Sequence, residues 1–224
     1  MAEPVARHAR GWSRKRSTAL WVGVLLIGSL VTAGGTIAWV ASQVPPARAA
    51  VLDLSGHPVQ VDPGTVNPTT AAAAKVQQNT GQRFVVPSVG LNVALDSLVV
   101  AGGNITPPGF ASAYLVRNLG TTLTRAATGS VYVVMHSIRG GGVGPGNYLQ
   151  NSKTGATSLH TGDIITVGGV DYRMASSTLV LKTQLPADSN VWANIPGKLI
   201  VITCLENADG SPSTKNLIIT ATGL

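Results

Sequence analysis

Short apolar runs separated by turn-forming residues dominate the chain after Arg83, and they constrain its fold more than any other feature. Clusters of Gly, Pro, Asn or Asp separate the runs, and no sustained 3.6-residue period appears. The pattern predicts an all-β domain, and Gly168-Gly169 between two runs predicts a hairpin turn. A barrel and a sandwich both fit this period. The runs are of strand length and rich in β-branched residues: Phe84–Val86, Leu91–Val100, Val131–Met135, Ile164–Val167, Tyr172–Leu181, Leu199–Thr203 and Leu217–Ala221.

One long uncharged segment precedes this domain. No side chain from Ala19 to Ser42 is charged, and Trp21 and Trp39 lie near the two ends of the segment. About 20 apolar residues in a helix span the hydrocarbon core of a bilayer, and Trp is typical of its interfaces. The sequence therefore predicts a transmembrane anchor over residues 19–42, preceded by a basic cytoplasmic segment over residues 1–18.

The net charge of +7 is distributed unevenly along the chain. Five cations and one acid precede Ala19, so this segment carries +4 of the total. The positive-inside rule then puts the N-terminus in the cytoplasm and the rest of the chain outside the cell. The remaining +3 forms no basic cluster, which argues against a nucleic-acid partner.

A cleaved signal peptide is the alternative to a retained anchor. Ala47-Arg48-Ala49 has the A-x-A form of a cleavage site. However, the apolar stretch is longer than the apolar core of a typical signal peptide, which has roughly 7–15 residues, and this favours the anchor. Both interpretations export the domain.

Residues 43–82 show no steady hydrophobic period. This region is rich in Pro, Ala, Thr and Gln, and residues 63–68 are turn-forming. We interpret it as a partly disordered spacer that lifts the domain off the membrane. The folded domain is then expected over residues 83–224.

The single cysteine of the chain, Cys204, closes the apolar run Leu199–Thr203. His136 closes the run Val131–Met135 in the same way, before a Gly-rich loop. Residues at strand ends are accessible to substrate, and two such strands can bring a thiol and an imidazole to one rim of a barrel. A thiolate is a nucleophile, and an imidazole can both activate it and protonate a leaving amine. Taken singly, Cys204 also fits a small buried residue and His136 a surface residue.

Several segments resemble the sortases, the bacterial enzymes that attach proteins to the cell wall or join pilins. The run Leu199–Cys204 resembles their Thr-Cys strand, and Phe84–Leu91 resembles their opening strand pair. Leu159–Val167 resembles their L-x-x-G-D-x-I-x-V strand, and Tyr172 falls where the next strand carries Tyr. The resemblance covers most of the chain after Gln82, and it is to class E/F-like sortases.

The resemblance implies an eight-stranded sortase-type β-barrel and a membrane-anchored cysteine transpeptidase. Cys204 would attack the Thr carbonyl of a C-terminal LPxTG-like sorting signal on a surface protein and form a thioacyl enzyme. His136 would protonate the departing amine and later deprotonate the incoming one. The acceptor would be an amine of peptidoglycan or of a pilin. No cofactor and no metal is expected.

The chain departs from the family on the strand that follows the cysteine. Sortases carry an Arg there, near the thiol, whereas no Arg lies between Cys204 and the C-terminus. Lys215 is the candidate oxyanion residue in its place, although another alignment puts Thr214 there. Arg139 and Arg173 are the other cations considered. Lys lacks the planar fork of Arg, so it offsets charge without a bidentate contact.

Two other functions fit parts of the sequence. A non-catalytic, membrane-tethered β-domain (a degenerate sortase) would bind a wall polymer or a protein partner, and the missing Arg favours it. An L,D-transpeptidase would carry His two residues before its cysteine, where this chain has Ile202. We therefore set the L,D-transpeptidase aside.

Overall fold

Strands are the main regular secondary structure in the computed structural model, which describes residues 51–59, 72–78, 80–103 and 105–224. Two short helices, α1 (Pro145–Leu149) and α2 (Ser189–Trp192), and three 3₁₀ turns lie between strands. The ten strands within these ranges are β1 (Arg83–Val86), β2 (Leu91–Leu98), β3 (Ala113–Val116), β4 (Val131–Val134), β5 (Gln150–Asn151), β6 (Ala156–Thr157), β7 (Ile164–Val167), β8 (Val170–Leu181), β9 (Lys198–Leu205) and β10 (Lys215–Gly223).

Eight of these strands close into a barrel in the order β1-β2-β3-β4-β9-β10-β8-β7, and β5 and β6 form a separate ribbon. The closed eight-stranded barrel confirms the predicted fold class of the domain. Most neighbours are antiparallel, but β2 pairs with β3 and β4 pairs with β9 in parallel. The β7–β8 hairpin turns at Gly168 and Gly169, whose φ angles of 56° and 85° fit the predicted two-residue turn.

Alternation along the strands divides their residues between the barrel interior and its outer face. On β4 and β9 the inward residues include Val133 and Val201, which belong to the main core cluster. The outward residues Val134 and Ile202 belong to a second cluster, in which connecting segments cover one outer face of the barrel. His136 comes two residues after Val134, and Cys204 comes two residues after Ile202. Both therefore lie on the outer face of the barrel that this second cluster covers.

Two stretches of the predicted spacer pack on the barrel. Residues 51–59 form a small loop closed by a bridge between Leu52 and Pro58, and Leu54 packs against the main core. In residues 72–78, Ala74 is buried and Gln77 pairs with Ser97 of β2. The first barrel strand, β1, begins at Arg83. The spacer prediction is corrected for the two stretches before it, because backbone hydrogen bonds and apolar contacts hold them on the domain.

The predicted anchor over residues 19–42 and the basic segment over residues 1–18 lie outside the described residues. Among the residues that the structure does describe, no helix has the length and apolar character needed to cross a bilayer.

Candidate active site

Parallel pairing of β4 and β9 brings the ends of these two strands together. Val134 lies opposite Ile202, and the Met135 amide donates to the Ile202 carbonyl across 3.1 Å. His136 and Cys204 each follow two residues after this pair. Since side chains two residues apart share a face, both point to the covered outer face of the barrel rather than into its interior.

One cavity of about 380 Å³ contains both side chains. Its walls are largely apolar, and its polar groups are concentrated around the thiol and the imidazole. Three parts of the chain build it: the segment after β2, the ends of β4, β9 and β10, and the connection from β8 to β9. The lining residues are Gly103, Ile105, Pro107, Val134, Met135, His136, Lys182, Leu185, Pro186, Trp192, Ile202, Thr203, Cys204 and Asn216.

The segment after β2 fixes the orientation of His136. The Pro107 carbonyl lies 2.9 Å from Nε2 of His136, and the Phe110 ring stacks on the imidazole at a centroid distance of 4.3 Å. Because a carbonyl can only accept a hydrogen bond, Nε2 carries a proton in this arrangement. The lone pair of the neutral ring is then on Nδ1, and this nitrogen is the one able to take a proton from a thiol.

The pKa of His136 lies below its ordinary value, chiefly because burial disfavours the imidazolium. The hydrogen bond to the Pro107 carbonyl acts in the opposite direction, and the positive charge of Lys182 lowers the pKa further. The resting imidazole is therefore neutral near pH 7, as a general base must be.

The pKa of the Cys204 thiol lies above its ordinary value, and burial is again the largest cause. Lys182 opposes this effect through its charge and through a side-chain hydrogen bond to the thiol, whereas the negative charge of Glu206 raises the pKa further. Cys204 is half-buried. The two resting groups are thus a thiol and a neutral imidazole that line the same cavity.

Lys182 is the cation that the structure places beside the thiol, and sequence reasoning missed it. It follows the last residue of β8, and its amide donates to the Thr214 carbonyl across 3.0 Å. The β8–β10 and β9–β10 pairings therefore bring a residue 22 positions before Cys204 to its side. The only sequence signal is that Lys182 directly follows the predicted strand run Tyr172–Leu181. Its proximity to Cys204 could be inferred only once the order of the strands was known.

The residue opposite Cys204 on β10 is Asn216, whose Nδ2 donates to the Thr203 carbonyl across 3.2 Å. Lys215 pairs with Leu205 instead, is exposed, and is absent from the cavity lining. Thr214 precedes β10 and also lies outside the lining. The structure therefore does not bring Lys215, the sequence candidate for the oxyanion role, to the thiol.

The two arginines considered from sequence also lie away from the cavity. Arg173 is exposed on β8, where it pairs with Ile164. Arg139 donates to the Gly210 carbonyl across 3.2 Å and is absent from the cavity lining. In the described ranges, no group of three or more His, Cys, Asp and Glu side chains could hold a metal ion.

Comparison with known proteins finds similarity at the level of structure only. The sequence matches no protein-family model and no curated protein. Solved structures similar to this chain include sortase C-1 from Actinomyces oris, at 15% identity and a TM-score of 0.46, with 64% of this chain and 72% of that chain covered.

Two further similar structures are sortases of other classes. Sortase A from Listeria monocytogenes is 17% identical with a TM-score of 0.44, covering 64% of this chain and 86% of that one. A sortase D5 transpeptidase from Clostridium perfringens is 13% identical with a TM-score of 0.43, covering 63% of this chain and 77% of that one. These solved structures belong to the family that the sequence motifs resemble.

Proposed function

We propose that this protein is a cysteine transpeptidase of the sortase type, with Cys204 as nucleophile and His136 as general acid and base. The observation that carries the proposal is that the sole thiol of the chain and a neutral, oriented imidazole line one apolar cavity. A buried thiol with no chemical role needs neither an imidazole nor an ammonium group beside it. Here the thiol shares its cavity with both groups, and the Lys182 ammonium interacts with it directly.

In the first half-reaction, His136 takes the thiol proton and the Cys204 sulfur attacks a peptide carbonyl carbon. A tetrahedral intermediate forms, and its oxygen carries the negative charge. The imidazolium then gives its proton to the departing nitrogen, the C–N bond breaks, and a thioester remains on Cys204. The ammonium of Lys182 stabilises negative charge first on sulfur and then near the reacting carbon.

In the second half-reaction, a primary amine attacks the thioester. The new C–N bond forms, His136 takes a proton from the attacking nitrogen, and the C–S bond breaks to release the Cys204 sulfur. Water replaces the amine slowly when no acceptor is present. The product is an amide, so peptide-bond energy is conserved through the thioester.

The substrate class follows from the resemblance and fits the walls of the cavity. An LPxTG-like sorting signal presents Leu and Pro side chains ahead of the scissile bond, and Ile105, Leu185 and Trp192 offer an apolar surface for them. The acceptor would be an amine of peptidoglycan or of a pilin. With residues 19–42 as anchor, the catalytic domain would act on the outer side of the cell membrane.

A non-catalytic domain that binds a wall polymer or a protein partner is the second candidate. The observation that favours it is Asn216, a neutral residue, opposite Cys204 where sortases carry an Arg. However, the thiol does not lack a neighbouring cation, because Lys182 supplies a positive charge from the end of β8 instead of from β10.

Mass spectrometry of the full chain after incubation with candidate sorting peptides tests the proposal. We expect a mass increase on Cys204 equal to the acyl part of the peptide, and loss of peptide cleavage in Cys204→Ala. A methanethiosulfonate reagent should also label Cys204 in the folded protein. Cleavage that persists in Cys204→Ala would end the transpeptidase proposal, and a folded protein whose thiol resists labelling would support the binding domain.

A further inference from the structure

A second apolar cavity, of about 330 Å³, adjoins the cavity that contains Cys204 and His136. We call it the distal cavity, and we call the cavity around the thiol the active-site cavity. The two share four lining residues, so a ligand that fills the active-site cavity has the distal cavity next to it. The shared residues are Gly103, Ile105, Pro186 and Trp192, and the residues that line the distal cavity alone are Val100, Leu119, Gly120 and Tyr132.

The distal cavity lies along β4, on the side away from the catalytic pair. Val134, two residues before His136, lines the active-site cavity, and Tyr132, two residues earlier again, lines the distal one. All three side chains lie on the outer face of the barrel. Four residues of a strand, at about 3.3 Å each, separate the imidazole from the level of Tyr132, a distance of about 13 Å.

Trp192 forms a fixed wall between the two cavities. Its Nε1 donates to the Leu185 carbonyl across 2.7 Å, and its ring packs against the Tyr132 ring at a centroid distance of 5.6 Å. The Tyr132 hydroxyl in turn donates to the Val191 carbonyl across 3.3 Å. The polar atoms of both rings are therefore engaged within the protein, and the rings present carbon surface to the cavities.

The chemistry of the distal cavity selects an apolar group. No charged side chain occurs among the described residues that line it. Its aliphatic and indole side chains pack on one side against the second core cluster and are only half-buried. Covering their open side with apolar atoms is favourable, whereas a charged group placed there would lose water without gaining a partner. The half-buried side chains are Val100, Ile105, Leu119 and Trp192.

The length of a donor peptide decides which of its residues reaches this cavity. The carbonyl of the acylated residue must lie at the Cys204 sulfur, and the preceding residues must extend through the active-site cavity. At about 3.3 Å per residue, the fourth residue before the acylated one lies at the level of Tyr132. In an LPxTG-like signal the acylated residue is the threonine, and the fourth residue before it directly precedes the motif.

We propose that the distal cavity binds an apolar side chain of the donor protein, at the position directly before the sorting motif. This inference rests on the proposed transpeptidase function and adds a determinant of specificity outside the motif. Ile105 and Trp192, which offer apolar surface to the motif, line both cavities and so separate the motif from the residue before it.

Binding can be measured without cleavage in the full-length Cys204→Ala variant. The probes are the peptides acetyl-X-L-P-A-T-G-amide, in which X is leucine, glycine or aspartate. The methyl signals of Leu119, in ¹³C-methyl-labelled protein, report on the distal cavity. We expect a saturable shift of these signals with the leucine peptide, and an affinity about tenfold weaker for the glycine and aspartate peptides. Equal affinities, no measurable binding of any peptide, or bound leucine peptide with unshifted Leu119 methyls would overturn the inference.

A substitution at Leu119, which lines the distal cavity alone, supplies the catalytic arm. In Leu119→Lys we expect kcat/KM to fall about tenfold for the leucine peptide and to rise for the aspartate peptide. The shorter acetyl-L-P-A-T-G-amide ends before the cavity and should be cleaved as by the parent. Leu119→Met retains apolar surface and should retain the parent preference.

Leu179→Lys is the matched control for this substitution. It makes the same change at an exposed leucine of β8 that lines neither cavity, so it should keep the parent preference. Leu119→Lys and Leu179→Lys proteins with the same preference among the three peptides would contradict the inference.

The two arms separate the inference from the function on which it rests. If no thioacyl adduct forms but the leucine peptide still binds tenfold more tightly, the transpeptidase proposal falls and the distal cavity stands as a binding site for an apolar side chain. If the adduct forms equally fast with all three peptides, the distal cavity is refuted while the transpeptidase remains.

Discussion

Ser137 and Thr203 link the two strands of the candidate site through a hydrogen bond of 2.9 Å between their hydroxyl oxygens. Ser137 follows His136, Thr203 precedes Cys204, and both are buried. The bond therefore joins the chain neighbours of the base and the nucleophile. Beside it, Asn147 accepts from the Ile138 amide and donates to the Ile138 carbonyl, which braces the loop after His136.

The first prediction concerns this hydroxyl pair. Ser137→Ala and Thr203→Val should each lower the free energy of unfolding by about 1–2 kcal/mol, because each leaves one buried hydroxyl without its partner. The double variant should cost less than the sum, since neither hydroxyl then remains to be satisfied. Urea unfolding of the four proteins measures the coupling. Strictly additive losses would show that the two hydroxyls do not depend on each other.

Gly146 packs against the same pair. Its amide donates to the His136 carbonyl across 2.9 Å, and a Cβ at this position would clash with Ser137 Oγ and Thr203 Oγ1. We predict that Gly146→Ala displaces the loop after His136. The rate of Cys204 alkylation near pH 7 should then fall about tenfold, which corresponds to a rise of about 1.4 kcal/mol in the activation free energy. Gly223→Ala, at the end of β10 where an added Cβ would meet no atom closer than 3.5 Å, controls for the added methyl group. Equal alkylation rates in Gly146→Ala and the parent would contradict the prediction.

Much of the barrel could be predicted from sequence, because its strands are local patterns. The run Leu199–Thr203 appears within β9, and the run Val131–Met135 contains β4. The placement of His136 and Cys204 at strand ends followed from the same runs. The face of the barrel on which the two side chains lie could not be predicted from these runs, because it depends on where the connecting segments pack.

The remaining parts of the site depend on contacts between distant segments. Asn216 and Lys182 reach Cys204 through the registers of β9 with β10 and of β10 with β8, and a run of apolar residues does not encode a register. Phe110 and Pro107 reach His136 from a segment without regular secondary structure. Such a segment has no period from which its position could be inferred.

The positive charge of Lys182 gives a prediction on the pH dependence of the reaction. This charge favours the thiolate and disfavours the imidazolium, so it lowers the pKa of both Cys204 and His136. Lys182→Met should therefore raise both pKa values. The bell-shaped pH profile of peptide cleavage, bounded by the imidazole on the acid side and the thiol on the alkaline side, should shift to higher pH on both limbs.

Lys215→Met is the matched control for this experiment. It removes the same charge from the residue next to Asn216, outside the cavity. Its profile should coincide with that of the parent. A shift in Lys215→Met with none in Lys182→Met would assign the cationic role to Lys215, as the sequence alone proposed.

Tyr172 offers a prediction on stability alone. The side chain is fully buried in the main core, its hydroxyl has no partner among the described residues, and burial raises its pKa to about 12. Tyr172→Phe removes a buried polar atom and leaves the ring in place. We expect the free energy of unfolding to stay equal or to rise by about 1 kcal/mol in urea titrations. A clear loss of stability would mean that the hydroxyl is satisfied in solution.

Phe110 provides a test of how the imidazole is kept neutral and oriented. Burial is the largest cause of the lowered His136 pKa, and the Phe110 ring covers one face of the imidazole. Phe110→Ala should therefore raise the His136 pKa toward its ordinary value, as an NMR titration of the ring protons would show. Phe110→Leu retains apolar cover but loses the stack, so it should keep more of the pKa shift while slowing cleavage. Tyr148→Leu, a change at an exposed aromatic residue outside the cavity lining, is the matched control. If Phe110→Ala left the titration of His136 unchanged, burial by this ring would not be the cause of the lowered pKa, and the segment after β2 would act on His136 through the Pro107 carbonyl alone.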